Sequence, residues 1–458
     1  MLNTRRRLGG VLVVLLVSGV AGAQTPSVRP RAQTETAQTA PTDIAALRVK
    51  ANAGNAVAQN ILGFAYRFGR GVPQDDAQAV AWYRKAAEQG YSLAQSNLGY
   101  AYREGRGVPQ EDAQAVAWYR KSAERGYAPA QFILGGMHEN GLAVPEDGVQ
   151  AVEWYRKAAD QGHAAAQYNL GLMYTGGQGV PQDDAQAAGW YRKAADQGHA
   201  AAQHALGVMY DNGQGVPQDD AQSVAWYREA AYQGFAAAQY NLGLMYANGQ
   251  GVPQDNMQAV AWYRKAADQG DAAAEYNLGV MYDNGRGVPQ EDAQAVAWYR
   301  KSADRGIANA QYNLGLMYAS GRGVSHDDTQ AVAWYRRAAD QGFADAHNNL
   351  GLAYLNGRGV PKDDAQAAEG FRRAADQGYA AAQSNLGLMY AYGRGVPQDY
   401  VEAHKWCTLG ASPASAEDQK KSSEARDLLA TLMTPAQLAE AQKLAREWLA
   451  AFEKRGEK

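Results

Sequence analysis

The amino-acid sequence predicts an all-α solenoid: ten 36-residue helix-turn-helix repeats closed by a C-terminal helical cap. Three observations predict it. A Trp recurs in fixed register at Trp82, Trp118, Trp154, Trp190, Trp226, Trp262, Trp298, Trp334 and Trp406, with Gly370 in the one vacant position. A Leu-Gly pair recurs without a gap from Leu62-Gly63 to Leu386-Gly387. Within every unit, apolar residues fall at helical spacing on both sides of a Gly-rich turn.

Composition agrees with a stacked array. The 50 glycines occupy fixed positions of the repeat, so they are turn and packing residues rather than signs of disorder. Net charge is −3, and loss of Arg5, Arg6 and Arg7 with an N-terminal signal makes it more negative. No basic stripe remains for nucleic acid. Cys407 is the single cysteine, which excludes an intramolecular disulfide.

Residues 1–23 read as a signal peptide. Arg5-Arg6-Arg7 precede an apolar run from Leu8 to Val20, and Ala21-Gly22-Ala23 form an A-x-A site with cleavage after Ala23. The ordinary secretory route is favoured, and the paired arginines after Thr4 also fit a twin-arginine signal loosely. The run is too short and Gly-interrupted for a comfortable membrane span. The expectation is a periplasmic or secreted product with no stable membrane insertion after cleavage. Residues 24–42 lack apolar periodicity and read as a disordered tether. Residues 43–57 align with the second half of a repeat, Gly54 falling one period before Gly90, and form an N-terminal capping half-repeat.

Residues 58–410 hold the ten repeats. In the fourth, Ala166, Leu170, Met173 and Tyr174 share one face of a first helix, helix A. Gly177-Gln178-Gly179-Val180-Pro181 turns the chain. Asp183 and Asp184 then supply an N-cap and first-turn charge for helix B, which buries Ala187, Tyr191, Ala194 and Ala195 and stops at Gly198. Each large buried side chain contributes roughly 1.5–3 kcal/mol. One unit has too few of them to offset its ordering entropy, so stacking is obligatory. Residues 411–458 read as C-terminal capping helices, one over 416–433 and a last one opened by the capping box Thr434-Pro435-Ala436-Gln437. Leu438, Leu444, Trp448, Leu449 and Phe452 give the latter an apolar stripe.

The pattern of Ala238, Leu242, Gly243, Tyr246, Gly249, Gly251, Val252 and Asp255, continued by Ala259, Trp262, Tyr263, Ala266, Ala267 and Gly270, resembles the Sel-one-like repeat family. That family is a relative of the tetratricopeptide repeats. The resemblance implies a right-handed α/α superhelix that works as an adaptor between protein partners, often exported in bacteria, with helix A on the concave side. Some exported members carry a cysteine pair in each repeat, and a few have been connected with β-lactam binding. This chain lacks such pairs, so that activity is not transferred.

The chemistry-bearing residues give no catalytic constellation. None of the seven histidines forms H-E-x-x-H or pairs with Cys at ligand spacing. His163 and His199 occupy one slot in successive repeats, where a surface metal site competes with the simpler reading of polar loop residues. The Asp pairs at 183–184 and 219–220 read as helix starts, and Cys407 as a small core residue in place of the repeat's Tyr. An active site needs a unique convergence of groups. Here the segments beginning at Gly105 and Gly285 are near-copies. The expectation is a non-enzyme without cofactor or metal.

Variable positions then carry any partner specificity. The residue two before each Leu lies roughly opposite the buried stripe of helix A, and this slot holds Phe132, Tyr168, His204, Tyr240, Tyr276 and Tyr312. These six are the candidate partner-binding residues, a ladder that grips another protein or a peptide segment. The competing reading has them packing between adjacent A helices. The functional expectation is an exported interaction scaffold. The alternative is a cell-wall-directed protein that binds or processes glycan or β-lactam-like ligands.

Overall fold

The computed structural model describes residues 43–411 and 416–456. The signal peptide and tether assigned to residues 1–42 lie outside the described residues. The described residues form 23 helices and no strand. Two compact units divide between Ala130 and Gln131.

Within every repeat an A helix and a B helix alternate. In the fourth repeat they are Ala164–Gly176 and Asp184–Asp196. The A helix ends at Gly177, whose φ of 63° is the left-handed conformation that favours glycine. The B helix starts on Asp183, whose carboxylate accepts the Gln186 N–H at 2.9 Å. Its Tyr191 is buried against Gly171, where a Cβ would sit 2.5 Å from the ring. The repeated Leu-Gly therefore exists to admit the Tyr ring of the same repeat, and this sets the spacing of the A and B helices.

A B helix is joined to the next A helix by polar bridges as well as by apolar contact. Gln167 Nε2 donates to Ala159 O at 3.0 Å, and its Oε1 accepts Gln197 Nε2 at 2.7 Å. The same buried amide bond recurs between Gln233 and Gln203 and between Gln269 and Gln239. Arg300 donates to Tyr318 Oη at 2.6 Å, and Arg336 to Tyr354 Oη at 3.1 Å. These groups would be costly to bury unpaired. The Gln167–Ala159 and Arg–Tyr bonds fix the register of one repeat on the next, and the Gln–Gln bonds tie together the two helices of one repeat.

In the first unit, the helix Ile44–Asn52 is capped by Asp43 and packs Leu47 and Ala51 on Ala58 and Leu62. The first A helix, Ala56–Phe68, begins inside the segment read as the half-repeat, because Asn55 Oδ1 accepts the Ala58 N–H and starts it early. In the second unit, the helix Ala416–Thr431 lies on the tenth B helix, Tyr400–Gly410, with Ser422 bonded to Ser384. The final helix, Pro435–Gly456, opens on the expected capping box: Thr434 N donates to Gln437 Oε1 at 2.9 Å and Gln437 N to Thr434 Oγ1 at 3.3 Å. It sets Trp448 edge-on against Trp406 at 5.9 Å and stacks Phe452 on Trp448 at 4.9 Å.

Candidate interaction surface

The six candidate residues occupy equivalent places on successive A helices of the second unit, and each is half-buried. They are less open than a helical wheel implies. Each ring leans on the Tyr of its own B helix: Phe132 on Tyr155 at 5.8 Å, Tyr168 on Tyr191 at 5.7 Å, His204 on Tyr227 at 5.7 Å. Tyr240, Tyr276 and Tyr312 repeat this on Tyr263, Tyr299 and Tyr335, at 6.0, 6.0 and 5.9 Å. The residue that opens the next A helix covers a further part. Phe132 meets His163 and Tyr168 meets His199, both at 4.9 Å, while His204 meets Phe235 and Tyr312 meets Phe343 at 5.2 Å. Every ring thus packs in part on its own B helix, and four of the six also pack at a repeat junction.

Burial sets the ionisation of the row. It pushes the phenols of Tyr168, Tyr240, Tyr276 and Tyr312 above their ordinary value, so they stay neutral hydrogen-bonding groups. It pushes His204 down to about 4, which leaves this imidazole neutral as well. His163 and His199 cap their own A helices. Each Nδ1 accepts a backbone N–H of its own A helix, from Ala166 and from Ala202, at 3.2 Å. Among the described residues no group of three potential ligands is close enough to hold a metal ion. Cys407 is fully buried, and burial raises its thiol to about 12, so it fills space as a core residue.

Two further rows on the same helices were not singled out in the sequence. Immediately after each candidate residue stands an Asn in most repeats, and it bridges to the preceding repeat. Asn241 Nδ2 lies 3.1 Å from His204 Nε2, and Asn385 Nδ2 donates to Asn348 Oδ1 at 3.1 Å. Four residues beyond the candidate slot, one turn along the helix, comes an aliphatic from the fourth repeat to the tenth: Leu172, Val208, Leu244, Val280, Leu316, Leu352 and Leu388, with Gly136 in the third. Leu172, Leu316, Leu352 and Leu388 are 42 %, 38 %, 36 % and 39 % exposed. The signal was present in the sequence, since this position lies two residues past the buried Leu and therefore on the opposite side of the helix. From the fourth repeat to the tenth, the three rows contain no formally charged residue. The surface offers hydrogen-bonding amides and phenols beside an aliphatic stripe, once per repeat.

The Sel1 repeat model matches ten consecutive windows, from residues 56–91 to 380–412. The chain belongs to the Sel1 repeat family. Sel1 repeats build solenoids that generally serve as scaffolds for protein–protein contact. The chain is 38% identical to a protective antigen present in uropathogenic Escherichia coli strains that displays an SLR fold. That match covers 91% of this chain and 97% of the antigen, with a TM-score of 0.54. A Sel1 repeat protein from Oxalobacter formigenes is 36% identical over 68% of this chain and 89% of its own, also with a TM-score of 0.54. No curated protein matches the chain.

Proposed function

We propose that this Sel1 repeat protein is an exported scaffold that holds a segment of a partner protein along the A-helix face of its second unit. The observation that carries this reading is the uncharged triple row, largely aromatic, amide and aliphatic, that runs along the A helices from the fourth repeat to the tenth. An extended segment presents backbone N–H and C=O groups at every residue, which suit the amides and phenols, while its apolar side chains suit the aliphatic stripe. Phe132, Tyr168, His204, Tyr240, Tyr276 and Tyr312 supply contact area at little entropic cost, because their rotamers are already held by packing. No unpaired buried charge has to be matched by the partner.

Export rests on residues 1–23. No helix among the described residues is long and apolar enough to cross a membrane. The similarity to a protective antigen is in keeping with an exported destination. The test is affinity capture from an envelope extract with residues 24–458 as bait, followed by cross-linking and mass spectrometry. One dominant protein with cross-links on A-helix residues of the second unit supports the reading. Capture of wall glycan alone, or cross-links confined to B helices, sinks it.

A further inference from the structure

Seven B-helix tryptophans each close an apolar cluster made by the preceding helix and the A helix of their own repeat. Trp82 lies on the cluster of Leu47 and Leu62, and Trp118 on that of Tyr83 and Leu98. In the second unit Trp226 lies on Tyr191 and Leu206, Trp262 on Tyr227 and Leu242, and Trp298 on Tyr263 and Leu278. Trp334 and Trp406 do the same over Leu314 and Leu386. The cluster of Tyr335 and Leu350 has no such lid, because the position holds Gly370. The consequence shows at its floor: Leu350 is 9 % exposed, whereas the equivalent leucines of the other nine repeats are 0 % exposed.

The place cannot be refilled from position 370. A Cβ there would sit 2.9 Å from His347 O and 3.1 Å from Gly351 N, since the ninth B helix, Asp364–Ala375, lies backbone to backbone on the ninth A helix, Ala344–Asn356. A ring arriving from outside brings no atom to that point. Cationic residues also stand at the register positions that accompany an indole elsewhere. Lys193 Nζ stands 3.7 Å from the centre of Trp190, and the Arg192 guanidinium carbon 5.3 Å from that of Trp226. Their counterparts at the vacant place are Arg373, tied to Glu369 at 2.8 Å, and Arg336, tied to Tyr354 Oη at 3.1 Å.

We infer that the uncovered cluster between the eighth B helix, Asp328–Asp340, and the ninth repeat is a docking hole for a tryptophan side chain of a partner protein. The occupant is specified by the repeats themselves: the equivalent places of other repeats hold an indole, with a cation beside the ring. The hole lies on the B-helix side and goes beyond the A-helix reading, so either can fail without the other.

The test uses the full chain and N-acetyltryptophanamide, with hydrogen exchange followed by mass spectrometry. The probe is expected to slow exchange in residues 331–350 about threefold once it reaches twice its Kd, and to leave residues 295–314 unchanged. Arg373→Ala, at a side chain 61% exposed, keeps the fold and weakens this protection. Trp298→Gly opens the same hole over Leu278, and the probe is expected to protect that variant there too. Protection in Trp298→Gly but not over Leu350 means the native hole has closed, and overturns the inference. Equal protection by N-acetylleucinamide, or no protection by the indole probe at either place, overturns it as well.

Discussion

Ala143 stands in the third repeat where the others have the second Gly of the turn, and its φ of 58° is the one left-handed value at a non-glycine among the described residues. The left-handed region costs an L-residue roughly 1–2 kcal/mol. Ala143→Gly is therefore expected to stabilise the protein by about 1 kcal/mol, read as a higher denaturant midpoint with an unchanged slope. His204 gives the opposite kind of effect, through pH. Burial lowers its folded-state value from 6.5 to about 4, so below pH 6.5 the unfolded chain binds a proton that the folded chain refuses. The stability is intact above pH 6.5 and falls between there and pH 4, by roughly 3 kcal/mol at the low end. His204→Asn, the residue that Asn348 supplies in the same slot, should show a smaller loss between pH 7 and pH 4.5 in equilibrium unfolding. At this scale the sequence was only partly legible. The Asp183 cap followed from residue type and position, but the burial of Tyr168 and its neighbours did not, because the covering residues, such as Tyr191 and His199, come from a different helix.

At the scale of the element, the helix pairs were readable because three signals coincide in most of them: an apolar stripe, a capping Asp and a Gly-rich stop. What periodicity does not reveal is which polar side chains meet between the two helices of a repeat. The buried Gln of the A helix is one case, since its partner stands 30 residues on, as in Gln197 and Gln167. Two of the departures from this pair are informative. Glu275 is buried and takes Arg305 at 3.1 Å in place of a Gln. Arg125 holds the matching place in the second repeat, but Gln95 faces it there and leaves Oε1 without a partner. Gln95→Glu is expected to raise stability by about 1 kcal/mol through a charge-assisted bond to Arg125, measured by thermal unfolding. The effect should vanish in the Arg125→Ala background. The vacant tryptophan at Gly370 belongs to the same scale: its position was legible in the register, while the uncovered Leu350 required the packing.

For the whole molecule, repeat architecture makes stability a sum of units and junctions, so damage at one end stays near that end. Removing residues 435–458 uncovers Trp406 and takes away Trp448 and Phe452, a loss of about 3 kcal/mol or more. Hydrogen exchange should then rise in the ninth and tenth repeats and remain unchanged in the fourth. The fold class could be read from the sequence because the same solution is written ten times. The proposed interaction surface was half legible. Its aromatic row was visible as a variable slot, but its aliphatic row was hidden among core positions of similar composition. That aliphatic row provides the decisive test, since Leu172, Leu316 and Leu388 are exposed and can be changed without opening the core. The measurement is the Kd of the captured partner segment for the wild-type chain and for Leu172→Asn/Leu316→Asn/Leu388→Asn, with equal helicity and melting confirmed. Affinity at least about tenfold weaker in the variant is the expected result, since three apolar contacts of modest size are lost. An unchanged Kd in a folded variant would contradict the A-helix face as the place where the partner is held.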